Sequence, residues 1–178
     1  MPTEQHEVKL CKHDIDTCIE FTNLHLQNAA QNNLKNKFAL QNKREHFETI
    51  LRGYLGERAV GLYFDYSTKF VPYSNSAKID KPADVLGYEV RTVTYKNALL
   101  LTHEHDKPNA DYICVSLIDS VATLKGWSGL SRTMTPENWN RTKFWRSQCY
   151  AMLETDLWPM EMLPATFELI AHQQTVYA

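Results

Sequence analysis

The chain reads as an α/β domain with a central mixed sheet flanked by helices. Three stretches predict this. Residues 88–95, Tyr-Glu-Val-Arg-Thr-Val-Thr-Tyr, alternate as a strand does and are rich in β-branched and aromatic types. Residues 111–118, Asp-Tyr-Ile-Cys-Val-Ser-Leu-Ile, form an almost continuous apolar run, the signature of a strand buried on both faces. Residues 35–64 carry Phe47, Ile50, Leu51, Tyr54, Leu55 and Leu62 on one helical stripe. With 178 residues, 43% of them hydrophobic, the chain is expected to form one domain with its own core.

In order along the chain, Val8 and Leu10 alternate with polar residues and predict a short edge strand. Asp14 or Asp16 is placed to cap a first helix running to about Asn32, with Ile15, Cys18, Ile19, Leu24 and Leu26 as its apolar contacts. The polar run 27–33 breaks it, and the second helix follows over 35–64. Gly53, Gly56 and Gly61 lie inside that helix, where each costs on the order of 1 kcal/mol against Ala. Close approach of the helix backbone to a sheet would account for them. Glu57 falls at the edge of the apolar stripe, half-buried, where a carboxylate needs a partner. Two are open to it: Arg58, which also falls in the stripe, or a metal.

The connector 65–81 includes a short strand at Lys69-Phe-Val-Pro-Tyr73. After 88–95, Lys96-Asn97 reads as a turn, and residues 98–103 as the antiparallel partner of the preceding strand. Asp106-Lys-Pro-Asn is a loop. Residues 121–127 form a further strand, so that 88–95, 98–103, 111–118 and 121–127 are expected in one sheet. Thr135-Pro136 opens a helix, with Thr as N-cap and Pro at the first helical position. From about Gln148 the tail is mixed and broken by Pro159 and Pro164.

Composition narrows the function. Formal net charge is −2, which excludes a uniformly basic nucleic-acid binder. The charge is uneven, however. Between Lys125 and Arg146 five Lys or Arg stand against the single acid Glu137, a local +4, and no Lys or Arg follows. Such asymmetry points to one face built for an anion. Four cysteines without C-x2-C spacing read as free thiols in a reducing compartment. The polar N-terminus carries no signal peptide, and no apolar run approaches 18 residues, so a cytoplasmic protein is expected.

The chemistry concentrates in Lys81-Pro-Ala-Asp-Val-Leu-Gly-Tyr-Glu-Val-Arg91 and the strand that continues to Tyr95. Pro82 stops any helix arriving from upstream, and Gly87 suits a turn or bulge. On the strand Glu89, Arg91, Val93 and Tyr95 share one face. Asp84 stands just ahead, across the Gly87 turn. Two carboxylates at a bend offer the oxygen ligands that a hard divalent ion prefers, and a cation two residues on can stabilise charge developing on a phosphate.

Asp84 followed by Glu89-x-Arg91 resembles the core motif of the PD-(D/E)XK nucleases, the restriction-endonuclease-like fold. That family carries Lys where this chain has Arg91. Gly53-x-x-Gly-Glu57, one helix ahead, looks like the helical acid of many phage and bacterial members. Gly126-Trp127 and the tail segment Asp156-Leu-Trp-Pro-Met-Glu-Met-Leu163 also resemble segments seen there. The resemblance implies Mg²⁺- or Mn²⁺-dependent hydrolysis of phosphodiester bonds in DNA, by an endonuclease or exonuclease. It assigns Asp84 and Glu89 as metal ligands, with Glu57 supporting the metal directly or through water. Arg91 takes the cation role, or Lys96 supplies a relocated amine from the opposite strand face.

Basic and aromatic residues interleave from Lys125 to Arg146. Lys125, Arg132, Arg141, Lys143 and Arg146 are candidates for backbone phosphates, and Trp127, Trp139 or Trp145 for base stacking or for the core. His103 and His105 share a strand face, but no further ligands accompany them, so they read as a polar strand end. No nucleophile elbow, Walker A loop or dinucleotide fingerprint is present. The rival reading keeps the fold without catalysis, because arginine cannot act as a base. Such a module would bind DNA or a protein, a host factor if the chain is phage-encoded and works in the host cytoplasm. A homodimer is open in either case.

Overall fold

The computed structural model describes residues 6–31, 43–66, 84–107, 109–139 and 149–176. The expected strand at 69–73, the residues Arg141, Lys143, Trp145 and Arg146, and the beginning of the second helix as read from the sequence all lie outside them. The architecture is mixed α/β. A four-stranded mixed sheet carries helices, and a separate two-stranded ribbon packs against it.

The chain enters as strand β1 (His6–Lys9) and helix α1 (Lys12–Gln31). Asp14 sits inside the first turn of α1, not at its cap. Its Oδ2 accepts the Cys11 backbone N–H at 2.9 Å, which satisfies an exposed donor at the helix start. Helix α2 (Lys43–Tyr63) follows. Cys18 of α1 and Tyr54 of α2 are buried together, with Phe21, Ile50, Leu51 and Leu55 around them.

Strands β2 (Glu89–Val93), β4 (Asp111–Ile118) and β5 (Val121–Gly129) complete the main sheet in the order β1-β5-β4-β2. Strands β2 and β4 are parallel, and the other pairs antiparallel. Strand β4 is buried from Tyr112 to Leu117, as its apolar run predicts. The edge strand read from Val8 and Leu10 is β1. Helix α2 lies across the sheet face that carries Val90 and Thr92, and its Ala59 and Val60 join Val90, Val115 and Leu124 in the main core. Gly56 makes this packing possible: a Cβ there would stand 1.8 Å from Thr92 Oγ1. Among the described residues nothing stands within 4 Å of a Cβ at Gly53, so close approach explains Gly56 and not Gly53.

Two expectations are corrected. Strand β3 (Leu99–Thr102) is not the antiparallel partner of β2, and the main sheet does not contain it. It pairs with β6 (Tyr150–Leu153) in the two-stranded ribbon. One edge of β2 is taken by β4, and on β2 the Val90 N–H is held by the Asp84 side chain. Residues 94–97 are a bend and not a tight hairpin turn. Second, after the short helix α3 (Leu130–Thr133), Pro136–Asn138 is a single 3-10 turn. Thr135 is extended as an N-cap would be, but its side chain makes no capping bond. The tail is mixed, as the sequence indicates. It contains β6, two 3-10 turns and helix α4 (Phe167–Val176).

Candidate active site

The turn ahead of β2 builds the site. Val85 and Tyr88 exchange both backbone hydrogen bonds, at 3.1 and 2.8 Å. The two residues between them, Leu86 and Gly87, have φ of 49° and 87°. Such a turn needs positive φ at both central positions. Gly87 adopts it freely, and Leu86 is held there by burial and by the Thr166 hydroxyl, which donates to its carbonyl. The turn folds Asp84 back onto the strand, where its Oδ2 accepts the Val90 N–H at 2.9 Å.

Glu89 and Arg91 project from the face of β2 opposite α2. Glu89 is buried, and its Oε1 lies 2.6 Å from Lys107 Nζ. The Arg91 guanidinium lies 3.0 Å from Asp106 Oδ2 and 3.9 Å from Glu89 Oε2, with its carbon 5.0 Å from the centre of the Tyr112 ring. Burial opposes the arginine's charge, but Asp106, Asp84 and Glu89 together hold its pKa above the ordinary value. Asp106 is fixed in turn, because its Oδ2 also accepts the His103 N–H at 3.0 Å.

Arg91 stands 3.9 Å from Glu89, and the charges of Asp84 and Glu89 both act on it. Glu57 belongs to α2, on the other side of β2. Burial first, and then the charges of Glu57 and Asp84, push the Tyr54 phenol above its ordinary pKa. Both acids therefore act on Tyr54, with Asp84 at the strand margin acting on Arg91 as well. Arg58 is not the partner of Glu57 through its Nε, which donates to Asp14 Oδ1 at 2.9 Å. Lys96 is exposed in the 94–97 bend and has no described place in the cluster. Two residues of the site were missed by sequence reasoning, Asp106 and Lys107. Both lie in a polar loop whose local pattern does not mark them.

The proposed phosphate contacts fare differently. Lys125 is corrected from an exposed cation to a buried one: its side chain is 4% exposed and pairs with Glu154 at 3.2 Å. The cause is a bulge. Cys114 pairs with Gly126 and Val115 with Leu124, so Lys125 is the extra residue, turned toward Glu154. Arg132 donates to the Asp156 carbonyl and stacks over Trp158 at 4.3 Å. Trp127 is buried and donates to the Pro159 carbonyl at 3.1 Å, and Trp139 packs on Tyr150. Both serve packing in this arrangement. The His103 and His105 rings stack on each other, 5.4 Å apart.

Among the described residues no group of three or more His, Cys, Asp or Glu side chains is arranged to hold a metal ion. The donor chemistry at β2 nevertheless fits a hard divalent ion, which needs as few as one or two carboxylates and fills its remaining positions with water and substrate oxygens. Among the described residues no helix is long and apolar enough to cross a membrane. Set against protein-family models, curated proteins and solved structures, the chain matches none.

Proposed function

We propose that the chain is a metal-dependent nuclease of restriction-endonuclease-like fold, hydrolysing phosphodiester bonds in DNA with Mg²⁺ or Mn²⁺. The observation that supports this reading is the gathering of carboxylates and cations at the start of one strand. Asp84 accepts the Val90 N–H, and Glu89 and Asp106 meet Lys107 and Arg91. Carboxylate oxygens are the ligands that a hard divalent cation prefers. The mixed sheet, with α2 and its Glu57 laid across the acidic strand, agrees with the same fold.

In this reading Asp84 and Glu89 hold the ion, while Glu57, assigned with them by the resemblance, stands on the α2 side of β2. A bound Mg²⁺ lowers the pKa of a water and stabilises charge on the phosphate. Arg91, fixed by Asp106 and the Tyr112 ring, presents a preorganised positive charge to that phosphate and takes no proton. Arg132, Arg141, Lys143 and Arg146 hold the DNA backbone. Lys125, buried on Glu154, drops out of that set. The free thiols of all four cysteines suit a reducing cytoplasm, that of the host if the chain is phage-encoded.

One observation favours the rival, a non-cutting module that binds DNA or a protein partner. Glu89 and Arg91 are already engaged within the protein, by Lys107 and Asp106. Isothermal titration with Mn²⁺ separates the two. The nuclease reading expects binding that weakens at least tenfold in Asp84→Ala. Equal affinity in wild type and variant would leave the binder.

A further inference from the structure

We propose that Lys107 is a tethered placeholder for the divalent ion: its ammonium occupies the ion's position on Glu89 and is displaced when the ion enters. The inference rests on the metal site proposed above and concerns what sets its affinity.

Glu89 is 8% exposed at its side chain, so without an ion its charge needs a partner inside the protein. Arg91 does not fill that need. It stands 3.9 Å from Glu89 and spends its close contact, 3.0 Å, on Asp106. Lys107 does, at 2.6 Å. The lysine differs from Glu89 in one decisive respect: 38% of its side chain is exposed. It can therefore swing its ammonium into water at little cost, while Glu89 stays where it is. A flexible four-carbon stem with a compact charge suits this exchange, and a planar guanidinium locked against a ring does not. Asp106 and Lys107 are consecutive, so one short segment fixes Arg91 and lends Glu89 a removable cation. Ion entry then competes with a cation of the protein's own, which raises the ion concentration needed to fill the site.

The test compares Mn²⁺ affinity and Mn²⁺-induced thermal stabilisation in wild type, Lys107→Gln, Lys107→Met and Glu89→Gln. Lys107→Gln keeps a hydrogen-bond donor for Glu89 and removes the charge, so it remains folded if Lys107→Met does not. Both lysine variants are expected to bind Mn²⁺ at least about tenfold tighter than wild type. They melt lower without the ion and gain more from it than wild type does, because a ligand that binds only the folded state stabilises it by an amount that rises with the logarithm of its affinity. Glu89→Gln binds weakly. Unchanged or weaker Mn²⁺ binding in the lysine variants would overturn the proposal, as would a lowered melting temperature that Mn²⁺ does not restore. That second result is the mark of a purely structural bridge. A cleavage assay on the same proteins keeps the two claims apart. Tighter ion binding with no cleavage by any of them supports the placeholder and removes the nuclease. Cleavage by wild type with unchanged ion affinity in the lysine variants does the reverse.

Discussion

Arg91 and Asp106 meet at 3.0 Å, joining the charged face of β2 to the loop that follows β3. Asp106 is spent on two donors at once, the guanidinium and the His103 N–H. The arginine is thereby held in one orientation beside Glu89.

That orientation matters for the residue that departs from the nuclease pattern. If Arg91 stabilises charge on a phosphate, Arg91→Lys keeps metal-dependent cleavage, since lysine supplies the same sign of charge. Arg91→Ala then loses at least about tenfold, roughly 1.4 kcal/mol of transition-state stabilisation. Cleavage rates of the three proteins check this. Full activity in Arg91→Ala would remove Arg91 from the mechanism.

Asp14 links α1 to α2 and makes stability pH-dependent. Burial raises its pKa, but hydrogen bonds from Cys11 and Arg58 and the arginine's charge outweigh that, and the folded value lies below 3.8. A carboxyl depressed in the folded state stabilises it above the unfolded pKa, near 4, and loses that contribution as pH falls through the folded value. Asp14→Asn is therefore expected to be less stable than wild type at pH 7, and the gap closes in acid below about pH 4. Urea unfolding at both pH values measures it, and a gap that persists in acid would contradict the assignment.

Gly56 and Thr92 form a packing pair. Gly56→Ala is expected to destabilise by about 1–3 kcal/mol, as overpacking does, despite alanine's better helix propensity. Among the described residues the buried Thr92 Oγ1 has no hydrogen-bond partner, so Thr92→Ala removes the clashing atom without orphaning a described donor. The double variant should be more stable than Gly56→Ala alone, a coupling that denaturant titration reads directly. Additive losses would show that the two do not collide.

How far the sequence carries depends on where each signal lies. Strand β4 and the charged face of β2 are local patterns, and both are legible: a continuous apolar run, and Glu89 and Arg91 two residues apart beyond a Gly turn. The pairing of β3 is not local. Its partner, Tyr150–Leu153, lies about fifty residues on and is too short to show a period of its own. Asp106 and Lys107 look like any polar loop, and only docking against β2 makes them part of a site. Lys125 misleads because a bulge shifts the register beneath it. The alternation that places it on a solvated face fails after Leu124, so that Leu124 and Trp127 both reach the main core.

In the proposed reading the basic segment beyond Trp139 contacts DNA. Replacing Arg141, Lys143 and Arg146 together with Ala is expected to weaken DNA binding and to flatten its dependence on salt, since fewer phosphate contacts release fewer counterions. Fluorescence anisotropy across a salt series gives the slope. An unchanged slope would place the DNA face elsewhere.

The central claim is that the acids ahead of and on β2 hold a metal used to cut DNA. Supercoiled plasmid incubated with the wild-type chain in Mg²⁺ or Mn²⁺ tests it most directly, with EDTA and the variants Asp84→Asn and Glu89→Gln as controls. The account predicts nicked or linear product with either ion, none with EDTA, and at least about a hundredfold loss in each variant, in line with removal of one group that stabilises transition-state charge. Intact plasmid under every ionic condition, from a protein shown to be folded, would contradict it, as would cleavage that both variants retain.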